Sequence, residues 1–357
     1  MADHFHKLIV DEVRRETADA VSIRFSVPVP LKAAFAFRAG QHLTVRREFG
    51  GEDLRRNYSV CVAPGDGELR IAVKEIAGGV FSSFLNHALR PGDILEVMPP
   101  HGSFTWEFDA HARRTYVAFA GGSGITPVLS LLKTALGTEL KSHFHLVYGN
   151  RLSQSTIFFE TLAGLKDRYL DRFQLTHVFE DEADEIALFN GRLDREKCDE
   201  LLNQFGGARR AAAYFICGPG PMMDATERAL LARAVPRELI LIERFTATPL
   251  SREAEEAARD LSAKAAGRKM SVTLSGRRFS VVFDAQHGNI LDSVRAAGQP
   301  APFACKGGVC ATCRAKVTAG RVEMKQNYAL SPREVAEGFV LTCQSTPLTD
   351  DVALTYD

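Results

Sequence analysis

Cys305-Lys-Gly-Gly-Val-Cys310-Ala-Thr-Cys313 carries three thiols within nine residues, and a fourth, Cys343, follows after twenty-nine intervening residues. The pattern C-x4-C-x2-C…C supplies four sulfur donors to a [2Fe–2S] centre, because its irons are held by thiolates and one compact loop can bring three of them together. Gly307 and Gly308 let the loop backbone turn tightly. A structural zinc site normally uses two short paired-cysteine motifs with a different gap, and an intracellular chain seldom keeps disulfides. Cys305, Cys310, Cys313 and Cys343 are therefore read as metal ligands. Backbone N–H groups of Ala304, Lys306, Val309, Ala311 and Thr312 surround the thiolates as donors to sulfur.

Upstream of this loop, Met270-Ser-Val-Thr-Leu274 and Phe279-Ser-Val-Val-Phe283 read as strands flanking a turn, and Asn289 to Ala297 as a helix ending at Gly298. Residues 269–357 thus form one domain. Residues 246–268 are rich in Ala, Glu and Arg, a composition that favours a solvated helix with little core face, and read as a linker. From Thr115 to about Phe245 apolar strands alternate with helical stretches: Tyr116–Ala120, Phe144–Tyr148, Phe173–Val178 and Ala213–Cys217. That alternation predicts a parallel sheet covered by helices over residues 111–245. Residues 1–110 hold short alternating runs such as Ala20–Phe25, Gln41–Val45 and Leu69–Val73, the pattern of a small antiparallel barrel.

Two constellations in these segments point to cofactors. In the first, Arg56-Asn-Tyr58-Ser59 opens an apolar strand: Tyr58 offers a ring to an isoalloxazine, Arg56 a charge for a pyrophosphate and Ser59 a hydroxyl for the flavin ring. Lys74 ends another strand, and Gly78-Gly79-Val80-Phe-Ser82 leads into a helix expected over Phe81–Leu89. Glycines before a helix start make an anion site, since unpaired N–H groups and the helix dipole both favour negative charge.

The second constellation begins where strand Tyr116–Ala120 runs into Gly121-Gly122-Ser123-Gly124-Ile-Thr126-Pro127 and a helix. Such a turn admits a pyrophosphate, Pro127 suits a first helical turn, and Thr126 reaches a phosphate or a nicotinamide carboxamide. It is not the G-x-G-x-x-G fingerprint of a standard dinucleotide fold. Cys217-Gly218-Pro219 ends a second strand, and Cys217 faces the hydride-transfer site as a positioning thiol rather than a nucleophile. Arg151, after Tyr148-Gly-Asn, together with Ser153, Ser155 and Thr156, offers a 2′-phosphate site and so favours NADPH over NADH. Glu243-Arg-Phe245 closes the segment, with Glu243 near the flavin N5 and Phe245 available to cover the ring. Cys61 and Cys198 read as buried thiols.

Composition excludes some classes. The chain has 357 residues, 45% apolar and 25% charged, with formal net charge zero, which argues against a nucleic-acid partner. No stretch approaches a membrane span and the N-terminus Met-Ala-Asp-His-Phe-His-Lys lacks a targeting pattern, so the expected location is the cytoplasm with no membrane contact.

Together, Arg56-x-Tyr58-Ser59, Gly121 to Pro127, Cys217-Gly-Pro219 and the four cluster cysteines resemble the ferredoxin-NADP reductase-like family with a C-terminal plant-type ferredoxin domain, over essentially the whole chain. Tyr148-Gly-Asn-Arg151, Thr156-Ile-Phe-Phe-Glu160, Leu165-Lys-Asp-Arg-Tyr169 and Asn190-Gly-Arg192 are similar to the reductase subunits of phenylacetyl-CoA ring 1,2-epoxidases. Reductases of ketosteroid hydroxylases and other aromatic oxygenases share the same domain order. The resemblance implies a multidomain fold: an antiparallel β-barrel flavin domain, an α/β parallel-sheet nucleotide domain and an α+β β-grasp ferredoxin domain. It also implies FAD more often than FMN, with Ser59, Lys74 and Ser82 among the flavin contacts, and an oxygenase component as electron acceptor. An NAD(P)H-dependent oxidoreductase of this kind converts a two-electron hydride into single electrons.

Overall fold

The computed structural model describes residues 5–204 and 211–356; the opening Met-Ala-Asp-His of the N-terminal reading lies outside the described residues. The chain divides into two compact units. The larger comprises Lys7–Arg47 and Tyr58–Arg244; the smaller comprises Glu48–Asn57, the chain from Phe245 onward and the residues before Lys7.

Strands β1 (His6–Thr17), β2 (Ala20–Ser26), β3 (His42–Phe49), β4 (Glu52–Ser59) and β5 (Leu69–Lys74) are followed by helix α1 (Val80–His87) and strand β6 (Ile94–Val97). Their sheet has the order β4-β3-β6-β1-β2-β5. An antiparallel bridge from Val60 to Ile71, and a 3.0 Å hydrogen bond from Cys61 N–H to the Arg70 carbonyl, join the two ends of that order, so the expected barrel closes. Closure removes the unpaired edge that an open sheet would present.

The larger unit continues with β7 (Thr115–Gly121), α2 (Ile125–Thr138), β8 (His143–Asn150), α3 (Phe159–Arg168), β9 (Phe173–Phe179), α4 (Arg195–Gln204), β10 (Ala213–Cys217), α5 (Gly220–Ala232) and β11 (Ile240–Glu243). All neighbouring strands pair in parallel, in the order β11-β10-β7-β8-β9. The chain builds outward from β7 to β9 and then returns to place β10 on the other side of β7. The order therefore reverses between β7 and β10, and ligands of open parallel sheets bind in the crevice at the carboxyl ends of such a pair. Helix α2 is apolar on almost every face and buries Ile125, Val128, Leu129, Leu131 and Leu132. One side of it packs on the sheet, and the same core takes in Ala20, Ala39, Cys61, Ala72 and Phe104 from the barrel. The expected boundary between residues 110 and 111 is thus crossed by a single hydrophobic core.

In the smaller unit, α6 (Arg252–Ala265) precedes β12 (Lys269–Leu274), β13 (Arg277–Val282), α7 (Ile290–Ala296), β14 (Arg314–Ala319), β15 (Val322–Met324), α8 (Pro332–Ala336), β16 (Phe339–Leu341), β17 (Ser345–Pro347) and β18 (Ala353–Thr355). The main sheet runs β13-β12-β18-β14-β16, with the parallel pair β12–β18 inside antiparallel neighbours. Ile290, Leu291 and Val294 of α7 fill its core, the arrangement of a β-grasp. Helix α6 begins at Ser251, whose hydroxyl accepts from Ala254 N–H at 3.2 Å, and is mostly solvated, as its composition predicts. Its last turn differs from a free linker: Ala265 joins the core and Ser262 is buried. Among the described residues no helix is long and apolar enough to cross a membrane.

Candidate functional site

The loop after β7 is shaped by absent side chains. A Cβ on Gly124 would lie 2.0 Å from the carbonyl oxygen of Cys217 and 2.7 Å from Gly218 N. One on Gly121 would meet Pro219 Cδ at 2.6 Å, and one on Gly218 would meet Gly121 N at 2.9 Å. The two glycine stretches therefore pack backbone to backbone across the switch point, so only glycine fits at these positions. Gly122 adopts φ +51 and faces open space, and its carbonyl accepts from Tyr148 Oη at 3.0 Å. Thr126 is buried with its hydroxyl donating to the Ser123 carbonyl at 3.0 Å, and Pro127 sits in the first turn of α2. The Tyr148 strut was not anticipated, although a tyrosine ending an apolar strand beside a glycine turn is the signal that would have found it.

Cys217 is fully buried at the end of β10, in register with Glu243 on β11. Burial, and the carboxylate of Glu243, push its thiol well above the usual range. The protonated thiol is a poor nucleophile. Arg151 is exposed, but its guanidinium is held by Asp181 at 2.7 Å. Glu182 takes both the hydroxyl (2.8 Å) and the N–H (2.9 Å) of Ser153. A nucleotide phosphate at Arg151 would meet these carboxylates, a competition that the local sequence pattern does not reveal.

In the barrel, Ser59 is buried and its hydroxyl has no hydrogen-bond partner. An orphaned buried hydroxyl beside the Tyr58 ring, itself 6.2 Å from Phe81, fits a flavin ring that would complete it. Arg56, two residues earlier on the same strand, is exposed and donates to the Arg55 carbonyl at 2.7 Å. Lys74 pairs with Asp19 at 3.4 Å. Gly79 caps α1, which starts at Val80, one residue earlier than expected, and ends at His87. The hydroxyl of Ser82, an expected flavin contact, is buried, accepting from Ile76 N–H and donating to the Gly79 carbonyl, both at 3.1 Å. It shapes the turn that presents the backbone of Gly79 and Val80.

The cluster loop carries three of the four cysteines, and Cys343 follows β16. Cys310, Cys313 and Cys343 are buried and Cys305 is half-buried at the start of the loop. Among the described residues no three His, Cys, Asp or Glu converge as for a single ion, whereas a binuclear centre needs two thiolates on each iron. Gly307 N–H donates to Cys305 Sγ at 3.3 Å, and the Cys310 sulfur lies 3.2 Å from the Thr312 hydroxyl. Gly308 turns at φ +75 as expected, whereas the other left-handed positions are Lys306 (φ +51) and Ala311 (φ +54) rather than Gly307. Gln344 was missed. Its amide donates to Cys343 Sγ at 3.3 Å and to the Lys306 carbonyl at 2.8 Å, tying the fourth ligand to the loop.

Phe303, two residues before Cys305, is buried beneath Arg55, whose guanidinium stacks on the ring at 4.0 Å, donates to the Phe303 carbonyl at 3.1 Å and pairs with Asp53 at 2.8 Å. Arg295 and Lys306 approach the same ring at 4.4 and 5.0 Å. The hairpin residues Asp53 and Arg55 thereby hold the start of the cluster loop.

Comparison with known proteins agrees with this arrangement. Residues 7–106 match the oxidoreductase FAD-binding domain family, 119–228 the oxidoreductase NAD-binding domain family and 272–348 the 2Fe-2S iron-sulfur cluster binding domain family. The chain is 46% identical to a 1,2-phenylacetyl-CoA epoxidase component of Escherichia coli (strain K12), covering 99% of this chain and 98% of the relative. It is 32% identical to the ferredoxin reductase component of the 3-ketosteroid-9-alpha-monooxygenase of Rhodococcus rhodochrous, over 98% and 96% of the two chains. The solved structure of phthalate dioxygenase reductase has the same fold, with a TM-score of 0.59 at 24% identity over 99% of this chain and 98% of the other.

Proposed function

The chain belongs to the ferredoxin-NADP reductase-like family with a C-terminal 2Fe–2S domain, which supplies the reductase components of oxygenases, and on that premise we propose that it serves a phenylacetyl-CoA epoxidase in the cytoplasm. The four-cysteine spacing, with the N–H groups of Gly307 and Gln344 aimed at the Cys305 and Cys343 sulfurs, carries the redox reading, and the whole-length 46% identity supports the choice of partner. When bound, FAD accepts a hydride from the nicotinamide and the [2Fe–2S] centre accepts electrons one at a time.

The protein's own groups bind and orient. Gly122, Gly124, Thr126 and Pro127 offer the start of α2 to the nucleotide phosphates. Cys217, Gly218 and Pro219 form the opposite wall, with Glu243 beside them. Tyr58 and Ser59 hold the isoalloxazine, while Arg56, Lys74 and the backbone of Gly79 and Val80 take the flavin phosphates. Cys305, Cys310, Cys313 and Cys343 hold the cluster. The preferred nucleotide is NADPH, supported by the exposed guanidinium of Arg151, which must leave Asp181 to meet a 2′-phosphate.

The functional boundaries that accompany this reading are 1–110 for flavin, 111–245 for nucleotide, 246–268 as connection and 269–357 for the cluster. An anaerobic titration with NADPH and then NADH, followed by flavin and cluster absorbance and by electron paramagnetic resonance, tests it. Bleaching of both chromophores with a rhombic reduced-cluster signal is expected, faster with NADPH. A protein reduced by dithionite but by neither nucleotide would be a carrier fed by another protein. Electron delivery to purified phenylacetyl-CoA epoxidase components tests the partner.

A further inference from the structure

His42 is the first residue of β3, with its side chain 5% exposed and neither ring nitrogen hydrogen-bonded. A buried imidazole without partners is costly, and this one faces a carboxylate: Nδ1 lies 3.5 Å from Glu243 Oε1, too long for a hydrogen bond and within reach of an ion pair. The ring cannot retreat. Its backbone is bonded both ways to His101, at 2.9 and 3.0 Å, and its ring stands edge-on to that of His101 with centroids 4.3 Å apart. On another side a Cβ at Gly102, where φ is +119, would lie 2.8 Å from Nδ1, so the bare glycine makes the space the imidazole fills.

Glu243 is equally confined. Its side chain is 12% exposed, it ends β11 beside Cys217, and the neighbouring Arg244 is committed to Asp224 at 2.6 Å. The titratable groups against the pair are His101, whose ring packs on His42 and whose Nε2 lies 3.3 Å from the Thr44 hydroxyl, and the thiol of Cys217.

We infer that His42 is a positioning residue for hydride transfer: it aims Nδ1–H at Glu243 and fixes the carboxylate at the carboxyl end of β10 and β11. The inference rests on the reading of Cys217 and Glu243 as the nicotinamide wall. A carboxylate held there favours the positive charge that develops on the nicotinamide as its hydride departs to the flavin, and needs no proton transfer from His42. The 3.5 Å gap closes to a hydrogen bond when the nucleotide enters.

The test uses the full-length holoprotein labelled with 15N-histidine, and rapid anaerobic mixing with nucleotide. Adding oxidised nucleotide should move the His42 ring nitrogens, and Glu243→Gln should abolish that response. His42→Phe keeps the ring volume and removes the donor, and should slow flavin reduction about tenfold with little change in nucleotide affinity. His42→Asn, which restores an N–H near Nδ1, should recover most of the loss. In the double variant His42→Phe/Glu243→Gln the loss should be no greater than in Glu243→Gln alone. A His42 resonance indifferent to Glu243→Gln, or losses that multiply in the double variant, would overturn the inference. Failure of the unaltered protein to be reduced by any nucleotide would instead strike the functional reading, and the resonance measurement would still decide the pairing.

Discussion

Gly124→Ala puts the nucleotide crevice under direct strain. The new methyl would lie 2.0 Å from the Cys217 carbonyl oxygen and 2.4 Å from its carbon, both backbone atoms that no rotamer change can move. The ends of β7 and β10 must separate, or α2 must shift as a body against a closely packed core. Overpacking of this kind costs about 3 kcal/mol, which for a unit of this size lowers Tm by about 6–12 °C. The displacement falls on the start of α2, so nucleotide-driven flavin reduction should drop about a hundredfold, the loss expected from a misplacement near 1 Å. Flavin and cluster content should stay as before, because Ser59 and the four cysteines lie elsewhere. The assay pairs calorimetry with stopped-flow reduction by NADPH, and Gly137→Ala in the same helix is the control: nothing lies within 4 Å of its Cβ, so it should be neutral or slightly stabilising. Gly124→Ala protein with unchanged Tm and unchanged reduction would refute the close backbone approach.

Three further outcomes are expected. Asp181→Asn releases Arg151 from an exposed pair worth about 0.2–1 kcal/mol, so KM for NADPH should fall about two- to fivefold with that for NADH unchanged, as steady-state kinetics would measure. His101 is pushed down to about 3 by burial and by the neighbouring His42. Since the unfolded imidazole takes up a proton near pH 6.5 and the folded one does not, stability is full above that pH and falls as pH drops toward 3. The slope is at most about 1.4 kcal/mol per pH unit, and His101→Gln should flatten it in urea melts between about pH 7 and 4. Arg55→Ala removes the stack on Phe303 and three charge-assisted hydrogen bonds; the smaller unit should lose about 2 kcal/mol and surrender its cluster faster to a chelator, with Arg55→Lys only partly protective.

Much of this arrangement was legible in the chain because backbone requirements leave strong marks. A strand followed by Gly121-Gly-Ser-Gly or Cys217-Gly-Pro announces a close approach, and the structure brings those two stretches together across the switch point. The cysteine spacing likewise marks the cluster loop on its own. What escaped notice depends on tertiary partners. Ser82 reads as a flavin contact, and its hydroxyl also braces its own turn, which no local pattern distinguishes. Arg151 looked free, yet its counterion Asp181 comes from beyond a neighbouring strand, thirty residues away. Gly307 and Gly308 read as the tight-turn residues; Gly308 is left-handed, and Lys306 and Ala311, which no local pattern marks, share that conformation. The barrel and the parallel sheet read as separate segments because their patterns differ, while the core that joins them is built from α2 residues indistinguishable in sequence from any buried helix.

The polar atoms that remain unpaired sharpen the functional reading. In a folded protein a buried donor or acceptor without a partner costs about 1–3 kcal/mol, so such atoms are retained where something else rewards them. Ser59 Oγ, Asn150 Nδ2 and both nitrogens of His42 are among the described atoms in this state, as are Trp106 Nε1, His177 Nδ1 and Tyr214 Oη elsewhere, and Ser59 and Asn150 adjoin residues proposed as cofactor contacts. Ser59 follows Tyr58, Asn150 precedes Arg151, and His42 faces Glu243 beside Cys217. The glycine packing at the switch point is the opposite case: there the backbone is already as close as it can be and leaves nothing to rearrange. Rigid backbone at the phosphate end and unsatisfied side chains such as Ser59 and His42 beside the proposed ring positions is the division a hydride-transfer site requires. The first fixes where the nucleotide sits, and the second reserves polar contacts that form only once the reacting rings are in place.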